Sequence, residues 1–310
     1  MTPGAGLSVV MPNYNGESLL ADNLPPLIAA LEQWGGNWEL IVVDDCSSDE
    51  SCRLVREHFP SVTLMVNEVN LGFSGTCNRG MAAARFPLGL CINSDVLVPS
   101  GFVAPLVEHF TEPDVFAVTP NILAASEGTN QGIVFGLYGK GFLKGGFARI
   151  DQQVPARENF YAVGACVVYD LAKFHALKGY SELYSPYLFE DVDLSYRAWK
   201  RGWKSLYDPR TTVQHLSSAT ISKLGKRRKR RIYFRNRFLF HWVNLSDRSM
   251  FAAHAAYVLM RLCVSFLWGD FNYYASFFNA LRRLDQVRAL RQQEKSQAVL
   301  GDRQILARTG

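Results

Sequence analysis

The sequence lacks most marks of an exported, zinc-binding or repetitive protein. Its six cysteines are scattered along 310 residues, and no two of them form a Cys-x-x-Cys pair. This spacing argues against a disulfide framework and against a zinc site. No charged-then-apolar leader precedes the first apolar run, and no internal repeat of fixed period is present. We therefore expect a protein of the reducing cytoplasm.

Long uninterrupted apolar runs are also missing. The most apolar stretch, residues 250–268, contains His254 and Arg261. A membrane span needs about 20 predominantly apolar residues, and a central arginine costs about 2.5–3.5 kcal/mol on insertion scales. We expect an interfacial helix that lies in the membrane plane. The alternative is that this stretch packs on the rest of the protein or forms an oligomer contact.

A phosphate-binding loop is absent as well. Residues 132–146 are rich in glycine and aromatic residues, but no strand leads directly into them and no Gly-Lys-Ser/Thr follows. The crowding of glycines predicts a mobile or tightly turning segment near a ligand.

Acidic residues are scarce in the last third of the chain. Residues 1–222 carry 15 Lys/Arg and 23 Asp/Glu, a net charge of −8, whereas residues 223–310 carry 18 and 5, a net charge of +13. This change in net charge predicts one domain over residues 1–222 and a basic, amphipathic helical extension over residues 223–310, with the boundary near Ser222.

The extension begins with six consecutive cations, Lys226 to Arg231, followed by aromatic residues as far as Trp242. Such a run can bind nucleic acid, but no nucleic-acid module accompanies it, so no nucleic-acid partner is expected. Anionic lipids are the better match, at about 1 kcal/mol per cation near a membrane surface. Oligomer contacts through these helices are the other expectation.

Strand-like and helix-like patterns alternate over the first hundred residues. Apolar runs at 7–11, 39–43, 62–66 and 88–92 read as strands, and helical spacing separates them. This alternation predicts a parallel, doubly wound α/β sheet. A further apolar run at 161–168 precedes a predicted helix over 191–201, which Gly202 ends.

Three acidic clusters lie along this framework. Asp44-Asp45 and Asn93-Ser94-Asp95 each close a strand-like run, and Glu190-Asp191 opens a helix. Carboxylates bind a dianionic diphosphate through a hard cation such as Mg²⁺, and ligands of open α/β sheets collect at the carboxyl ends of strands. Each cluster alone could instead be a turn, a cap or a partner of the helix dipole.

Five ordered segments resemble those of family 2 inverting glycosyltransferases, and the similarity is greatest to the rhamnosyltransferase-like, non-processive members. The segments span residues 7–15, 43–49, 70–80, 93–95 and 189–194. The resemblance implies a GT-A fold, which is a Rossmann-like nucleotide-binding, mostly parallel sheet flanked by helices, here with a C-terminal helical extension.

The resemblance also implies roles for particular residues. Asp191 is the expected general base, with Glu190 second. Apart from the resemblance, the position of Asp193 in the sequence predicts a surface or cap residue. Asp95 and His215 are expected to bind Mg²⁺ or Mn²⁺. Asn93 stands where the family often has aspartate, so Asp95 is the sole carboxylate of that motif. The expected nucleotide-sugar-binding residues are Pro12, Asn13, Tyr14, Asn15, Asp44, Asp45, Gly72, Phe73, Asn78, Arg79, Asn93 and Ser94.

Two of these assignments carry an open choice. Either Asp44 or Asp45 could accept a hydrogen bond from the imide N–H of uracil or thymine, and Asp45 is preferred. Arg79 is solvated by default, and its planar guanidinium alternatively suits a phosphate.

The expected activity is transfer of one sugar from a UDP- or dTDP-linked donor to a glycan or lipid-linked acceptor, for cell-surface polysaccharide at the inner face of the cell membrane. The Gln-x-x-Arg-Trp signature of processive synthases is absent. The alternative is a non-catalytic nucleotide-sugar-binding or scaffold protein that retains the fold.

Overall fold

A computed structural model describes residues 6–216 and 225–310 of the chain. Within these ranges, eleven strands form one mixed sheet, with helices packed against it. The predicted domain boundary near Ser222 lies outside the described residues.

The amino-terminal elements alternate as predicted. The elements are β1 (Leu7–Asn13), α1 (Glu17–Trp34), β2 (Trp38–Asp44), α2 (Ser51–His58), β3 (Thr63–Val66), α3 (Gly72–Ala83) and β4 (Leu88–Ile92). The four strands lie side by side in the order β3, β2, β1, β4, and they pair with one another in parallel. Helix α1 ends at Gly35, whose φ of 73° is the left-handed conformation expected of a helix-ending glycine.

Beyond β4 the sheet becomes mixed. Strand β10 runs antiparallel between β4 and β6, and β11 runs parallel to β6. The α/β fold class is confirmed, with the parallel pairings concentrated in the amino-terminal half. These elements are β5 (Val96–Leu97), α4 (Val103–Val107), β6 (Val115–Ala124), β7 (Thr129–Gly139), β8 (Phe142–Arg149), β9 (Arg157–Asn159), β10 (Cys166–Asp170), α5 (Leu171–Ala176), α6 (Glu190–Lys200) and β11 (Lys204–His215).

The glycine-rich segment forms a long antiparallel hairpin, β7–β8, so the prediction of a tightly turning segment is wrong for most of its length. Its glycines are explained by close packing. A Cβ on Gly132 would lie 1.9 Å from the carbonyl oxygen of Pro120, and one on Gly136 would lie 2.4 Å from Thr309 Oγ1. Glycine lets neighbouring backbone and side chains approach these strands.

The C-terminal helices pack on the sheet region. Buried Phe238, Leu239 and Phe240 share one apolar cluster with Phe160 and Trp199. Within 6–216 and 225–310, no helix is long and apolar enough to cross a bilayer. The helices are α7 (Lys226–Asn244), α8 (Arg248–Ser265), α9 (Phe271–Leu281), α10 (Leu284–Gln297) and α11 (Asp302–Thr309).

A buried ion pair joins α11 to α6. Asp302 is fully buried, lies 2.5 Å from Lys200 Nζ, and accepts a 2.6 Å hydrogen bond from the Tyr196 hydroxyl. Its second oxygen accepts the backbone N–H groups of Ser246 and Asp247 at 2.7 and 2.6 Å. One carboxylate thus joins α6, α11 and the loop between α7 and α8.

We expect Asp302→Ala to lower the free energy of unfolding by about 3–5 kcal/mol, because Lys200 is left buried without its counter-charge. The measurement is chemical denaturation of parent and variant. Asp285→Ala is the control, since that side chain is 98% exposed. A loss for Asp302→Ala no larger than that of the control would contradict this account.

Candidate active site

The carboxyl ends of β1 and β2 place Asn13 beside Asp44, as their parallel register requires. Asn13 Nδ2 donates to Asp44 Oδ2 at 2.8 Å, and the Ser47 N–H donates to Asp44 Oδ1 at 2.9 Å. Both Asn13 and Asp44 are buried. The two strand ends are therefore joined by a hydrogen-bonded pair at the edge where ligands of such sheets bind.

The loop after β1 is hydrogen-bonded to the loop after β2. The Asn15 N–H donates to Ser47 Oγ at 2.8 Å, and Asn15 Oδ1 accepts the Ser48 N–H at 2.7 Å. Asn15 adopts a φ of 50°, which asparagine tolerates better than most residues. Tyr14 projects outward with 44% of its surface exposed. The predicted Pro12–Asn15 segment thus presents one aromatic ring to solvent from a fixed backbone.

Asp45 organises the following loop. Its carboxylate accepts Asn67 Nδ2 at 2.8 Å, Leu71 N–H at 2.7 Å and Gly72 N–H at 2.9 Å. Gly72 has a φ of +72°, and a Cβ there would lie 3.2 Å from the Pro186 carbonyl oxygen. The preference for Asp45 as the base contact stays a prediction.

The side chains of Asn78 and Arg79 contact protein groups. Asn78 donates to the Tyr180 carbonyl at 2.8 Å and accepts the Tyr180 N–H at 2.9 Å. Arg79 is exposed, but its guanidinium bonds the Val66 carbonyl and the Asn67 amide oxygen. Arg79 therefore braces the asparagine that bonds Asp45, and a phosphate contact from it stays a prediction.

Phe73 borders the space between the strand ends and α6. Its ring lies 5.7 Å from the Tyr180 ring, and a Cβ on Gly164 would come within 3.3 Å of Phe73. Gly164 in turn donates its N–H to Asp191 Oδ2 at 3.2 Å. Phe73 is thus connected to Asp191, the predicted base, through one intervening residue, Gly164.

Asp95 and His215 meet although 120 residues separate them in the chain. Asp95 Oδ1 lies 3.3 Å from His215 Nε2, because β5 and β11 pair with Val96 opposite His215. His215 Nδ1 lies 2.9 Å from Gln131 Oε1, which favours a proton on Nδ1 and a lone pair on Nε2. Sequence reasoning missed Gln131, which lies at the start of the glycine-rich segment.

Asn93 and Ser94 line the same edge. The Ser94 carbonyl accepts Asn23 Nδ2 at 2.7 Å, and Asn93 N–H donates to the Ala165 carbonyl at 2.9 Å. The buried side-chain oxygens of Asn13 and Asn93 have no hydrogen-bond partner among the described residues.

The chemistry of these groups suits a divalent cation that is held jointly with a diphosphate. His215 Nε2 is buried without a hydrogen bond in the described part of the chain, and it faces a carboxylate. No group of three or more His, Cys, Asp or Glu side chains that could hold a metal occurs in the described ranges. A typical Mg²⁺ site has one or two protein ligands, and substrate phosphates fill other positions around the ion. The imidazole also suits Mn²⁺.

Glu190 and Asp191 begin α6 as a buried and a half-buried carboxyl group. Burial raises the pKa of Glu190 well above its ordinary value, and the neighbouring Asp191 charge raises it further. Burial also raises the pKa of Asp191, although the N–H groups of Gly164 and Val192 act in the opposite direction. Glu190 Oε2 has no partner among residues that the structure describes. A carboxyl pair held in this way is poised to accept a proton.

Asp193 differs from its neighbours, and the expectation of a surface or cap residue is wrong. It is fully buried and bonds Arg197 Nε, the Tyr184 hydroxyl and Asn244 Nδ2 at 2.7, 2.8 and 2.7 Å. One helical turn brings Arg197 onto the same face as Asp193, so this carboxylate is neutralised within the core. Its role is structural.

The backbone before α6 is strained and is held by α7. Leu188 and Phe189 have φ values of 73° and 79°, which are unusual for residues with side chains. Asn236 Nδ2 lies within hydrogen-bonding distance of the carbonyl oxygens of Tyr184, Tyr187 and Leu188, at 2.7, 2.9 and 2.7 Å. Sequence reasoning missed Asn236, because an asparagine between a basic run and aromatic residues carries no local signal.

Residues 8–177 match the family described as glycosyl transferase family 2, and the chain belongs to this family. The poly-beta-1,6-N-acetyl-D-glucosamine synthase of Staphylococcus epidermidis is 25% identical over 231 residues, covering 73% of this chain and 53% of the relative. The synthase of the same name from Staphylococcus aureus strain COL is 22% identical over 229 residues, with the same coverage. The chain spans about half the length of these curated relatives.

Solved structures share the fold. Staphylococcus aureus TarS 1–349 in complex with UDP-GlcNAc has a TM-score of 0.58 at 16% identity, covering 97% of this chain and 90% of that one. The mannosyltransferase PcManGT of Pyrobaculum calidifontis, in complex with GDP-Man and Mn²⁺, has a TM-score of 0.55 at 14% identity, with 95% and 85% covered. The predicted GT-A fold and family are confirmed.

We expect Asn236→Ala to lower kcat about ten- to hundredfold with little change in the donor KM. The freed loop would misplace Glu190 and Asp191, whereas the donor groups on β1 and β2 stay in position. The measurement is steady-state kinetics of sugar transfer. Asn279→Ala on α9 is the control. An equal loss in both variants, or a change confined to KM, would contradict a positioning role.

Proposed function

We propose that this family member is an active glycosyltransferase, which moves one sugar, with inversion at C1, from a UDP- or dTDP-linked donor to a hydroxyl of a glycan or lipid-linked acceptor. The observation that carries the proposal is the spacing of two groups across residues 164–165. Ala165 bonds Asn93 beside the Asp95–His215 pair, and Gly164 bonds Asp191. A carboxyl base and a diphosphate-binding edge thus lie on either side of two adjacent residues.

In this proposal Asp191 takes the proton of the acceptor hydroxyl as its oxygen attacks C1. The bond from C1 to the diphosphate oxygen breaks on the opposite face, and its electron pair leaves with the nucleoside diphosphate. Glu190 is the second candidate for the base. Proton transfer of this kind contributes roughly 10²–10⁴-fold to the rate.

The donor lies, in this proposal, along the carboxyl ends of β1, β2 and β4. The nucleoside contacts the Pro12–Asn15 segment and the Asp44–Asp45 pair, with Tyr14 available for stacking. Asp95 and His215 hold Mg²⁺ or Mn²⁺ together with the diphosphate. The chemistry that the cation supplies there is neutralisation of charge on the leaving group.

Several findings bear on the donor and the acceptor. TarS binds UDP-GlcNAc, which favours a uridine donor for this chain, although PcManGT binds GDP-Man on the same fold. The Staphylococcus relatives are polysaccharide synthases by name, which supports a glycan acceptor. The absent Gln-x-x-Arg-Trp signature favours single transfer. Family membership and the retained Asp95 and Asp191 favour catalysis over a scaffold role.

We propose further that the enzyme works at the cytoplasmic face of the cell membrane. The net charge of +13 over residues 223–310 supports attraction to anionic lipids, as does exposure of every cation from Lys226 to Arg231.

Asp191→Asn should transfer sugar about 10²–10⁴-fold more slowly while keeping donor affinity, because it preserves shape and removes the proton acceptor. In the parent, the raised pKa of this carboxyl predicts that kcat falls as pH drops through a value above the ordinary aspartate range of about 4. That acidic limb should vanish from the residual activity of the variant. Rate against pH at saturating donor is the measurement, and parental activity in Asp191→Asn would transfer the role to Glu190.

Asp95→Ala should weaken donor binding and abolish its dependence on Mn²⁺, because Asn93 contributes only a neutral oxygen. Calorimetric titration of donor with Mn²⁺ and with a chelator is the measurement. Asp151→Ala, which removes an exposed carboxylate paired with Arg149, is the control. Metal-dependent affinity that is unchanged in Asp95→Ala would reject this residue as a ligand.

A further inference from the structure

The outward face of α8 is apolar along most of its length. Exposed positions recur with helical spacing at Ala252, Ala256, Leu259 and Cys263, and exposed Leu267 follows in the turn after α8. Leu259 and Leu267 are 62% and 66% exposed. The inward face carries buried His254 and Ser265 together with Met250 and Val258. The usual arrangement, with polar residues outside and apolar residues inside, is therefore partly reversed in this helix.

Helix α9 continues the same surface. Phe271 and Phe278, separated by two helical turns, are 70% and 57% exposed, and a short turn joins α9 to α8. Phe266 in that turn is 60% exposed. Soluble monomers rarely expose apolar side chains in contiguous groups of this kind. We call the following exposed side chains the apolar ridge: Leu259, Met260, Cys263, Phe266, Leu267, Phe271 and Phe278.

The basic run lies directly beside this ridge. Arg230 Nη2 lies 2.7 Å from Asp270 Oδ2, and Arg231 Nε donates to Asn272 Oδ1 at 2.7 Å. Asp270 and Asn272 flank Phe271. All six cations from Lys226 to Arg231 are exposed. Positive charge and apolar surface therefore meet at the turn between α8 and α9.

We propose that the apolar ridge lies in the headgroup–acyl boundary of an anionic membrane, with the basic run on the lipid phosphates. Apolar burial combined with cation attraction is the binding mode of in-plane amphipathic helices. A second copy of the chain is the less suitable occupant, because a two-fold pairing through the ridge would bring two runs of six cations together. This inference deepens the proposed membrane location by identifying the surface that makes contact.

The docking surface also relates the membrane to the active site. Helix α7 begins in the basic run and carries Asn236, ten residues later, which bonds the loop before Glu190. Ten residues of α-helix span about 15 Å. The loop before the candidate base is therefore bonded to α7 at a point about 15 Å along the helix from its start at the proposed lipid contact. This distance suits an acceptor carried on a lipid.

The first test measures co-sedimentation with vesicles in the absence of donor, so its result is independent of catalysis. The parent should bind vesicles that contain phosphatidylglycerol and should bind pure phosphatidylcholine weakly. Leu267→Ser/Phe271→Ser should reduce partition into the anionic vesicles about tenfold or more per side chain. The matched control is Ile150→Ser/Val299→Ser, which alters exposed apolar residues outside the ridge and should bind like the parent.

A second measurement reports on the ridge directly. Cys263 is exposed on it and can carry an environment-sensitive fluorophore in a Cys46→Ser background; burial raises the pKa of Cys52 to about 11, so that thiol is poorly reactive at neutral pH. A blue shift with anionic vesicles and quenching by lipid-borne quenchers are expected. Parental binding by Leu267→Ser/Phe271→Ser would overturn the proposal. The proposal would also be overturned if the parent forms a dimer without lipid and Leu267→Ser/Phe271→Ser is monomeric, because the ridge would then be an interface between copies.

Discussion

The backbone at Gly164 and Ala165 is the constraint on which the candidate site depends. Ala165 accepts the N–H of Asn93 at the end of β4, and Gly164 donates to Asp191 at the start of α6. Both contacts are possible because β10 runs antiparallel beside β4 and begins at Cys166. Two adjacent peptide groups thus connect the proposed nucleotide-binding edge of the sheet to the carboxyl pair that begins α6.

The carboxyl groups in and beside α6 fall into two kinds, and the difference separates structure from chemistry. Asp193 and Asp302 each have a cation and several hydrogen-bond donors, so each carboxyl group is matched by partners within the core. Among the described residues, Glu190 has an oxygen without a partner, and Asp191 accepts the backbone N–H groups of Gly164 and Val192. A buried carboxyl group without a counter-charge lowers the stability of the fold and has a raised pKa. This combination is common in residues that accept a proton during catalysis.

The C-terminal helices contribute to both the core and the site. Their inner faces complete an apolar cluster around Phe160 and Trp199, and Asn236 holds the strained loop that ends at Phe189. Their outer faces leave a basic run and the apolar ridge exposed. The same helix therefore connects a candidate membrane surface with the loop that positions Glu190.

The sequence by itself determined the strand and helix alternation as far as β4, the family, and the segments that would meet at the strand ends. Apolar periodicity and short motifs are local, so they can be read without coordinates. Only the tertiary structure decided which groups meet. It placed Gln131 against His215, brought Asn236 to the loop before Glu190, and buried Asp193. It also formed β7–β8 from a glycine-rich segment, because the need for glycine at Gly132 and Gly136 comes from neighbours distant in the chain. Contacts between distant residues depend on sheet order and register, which local patterns do not encode.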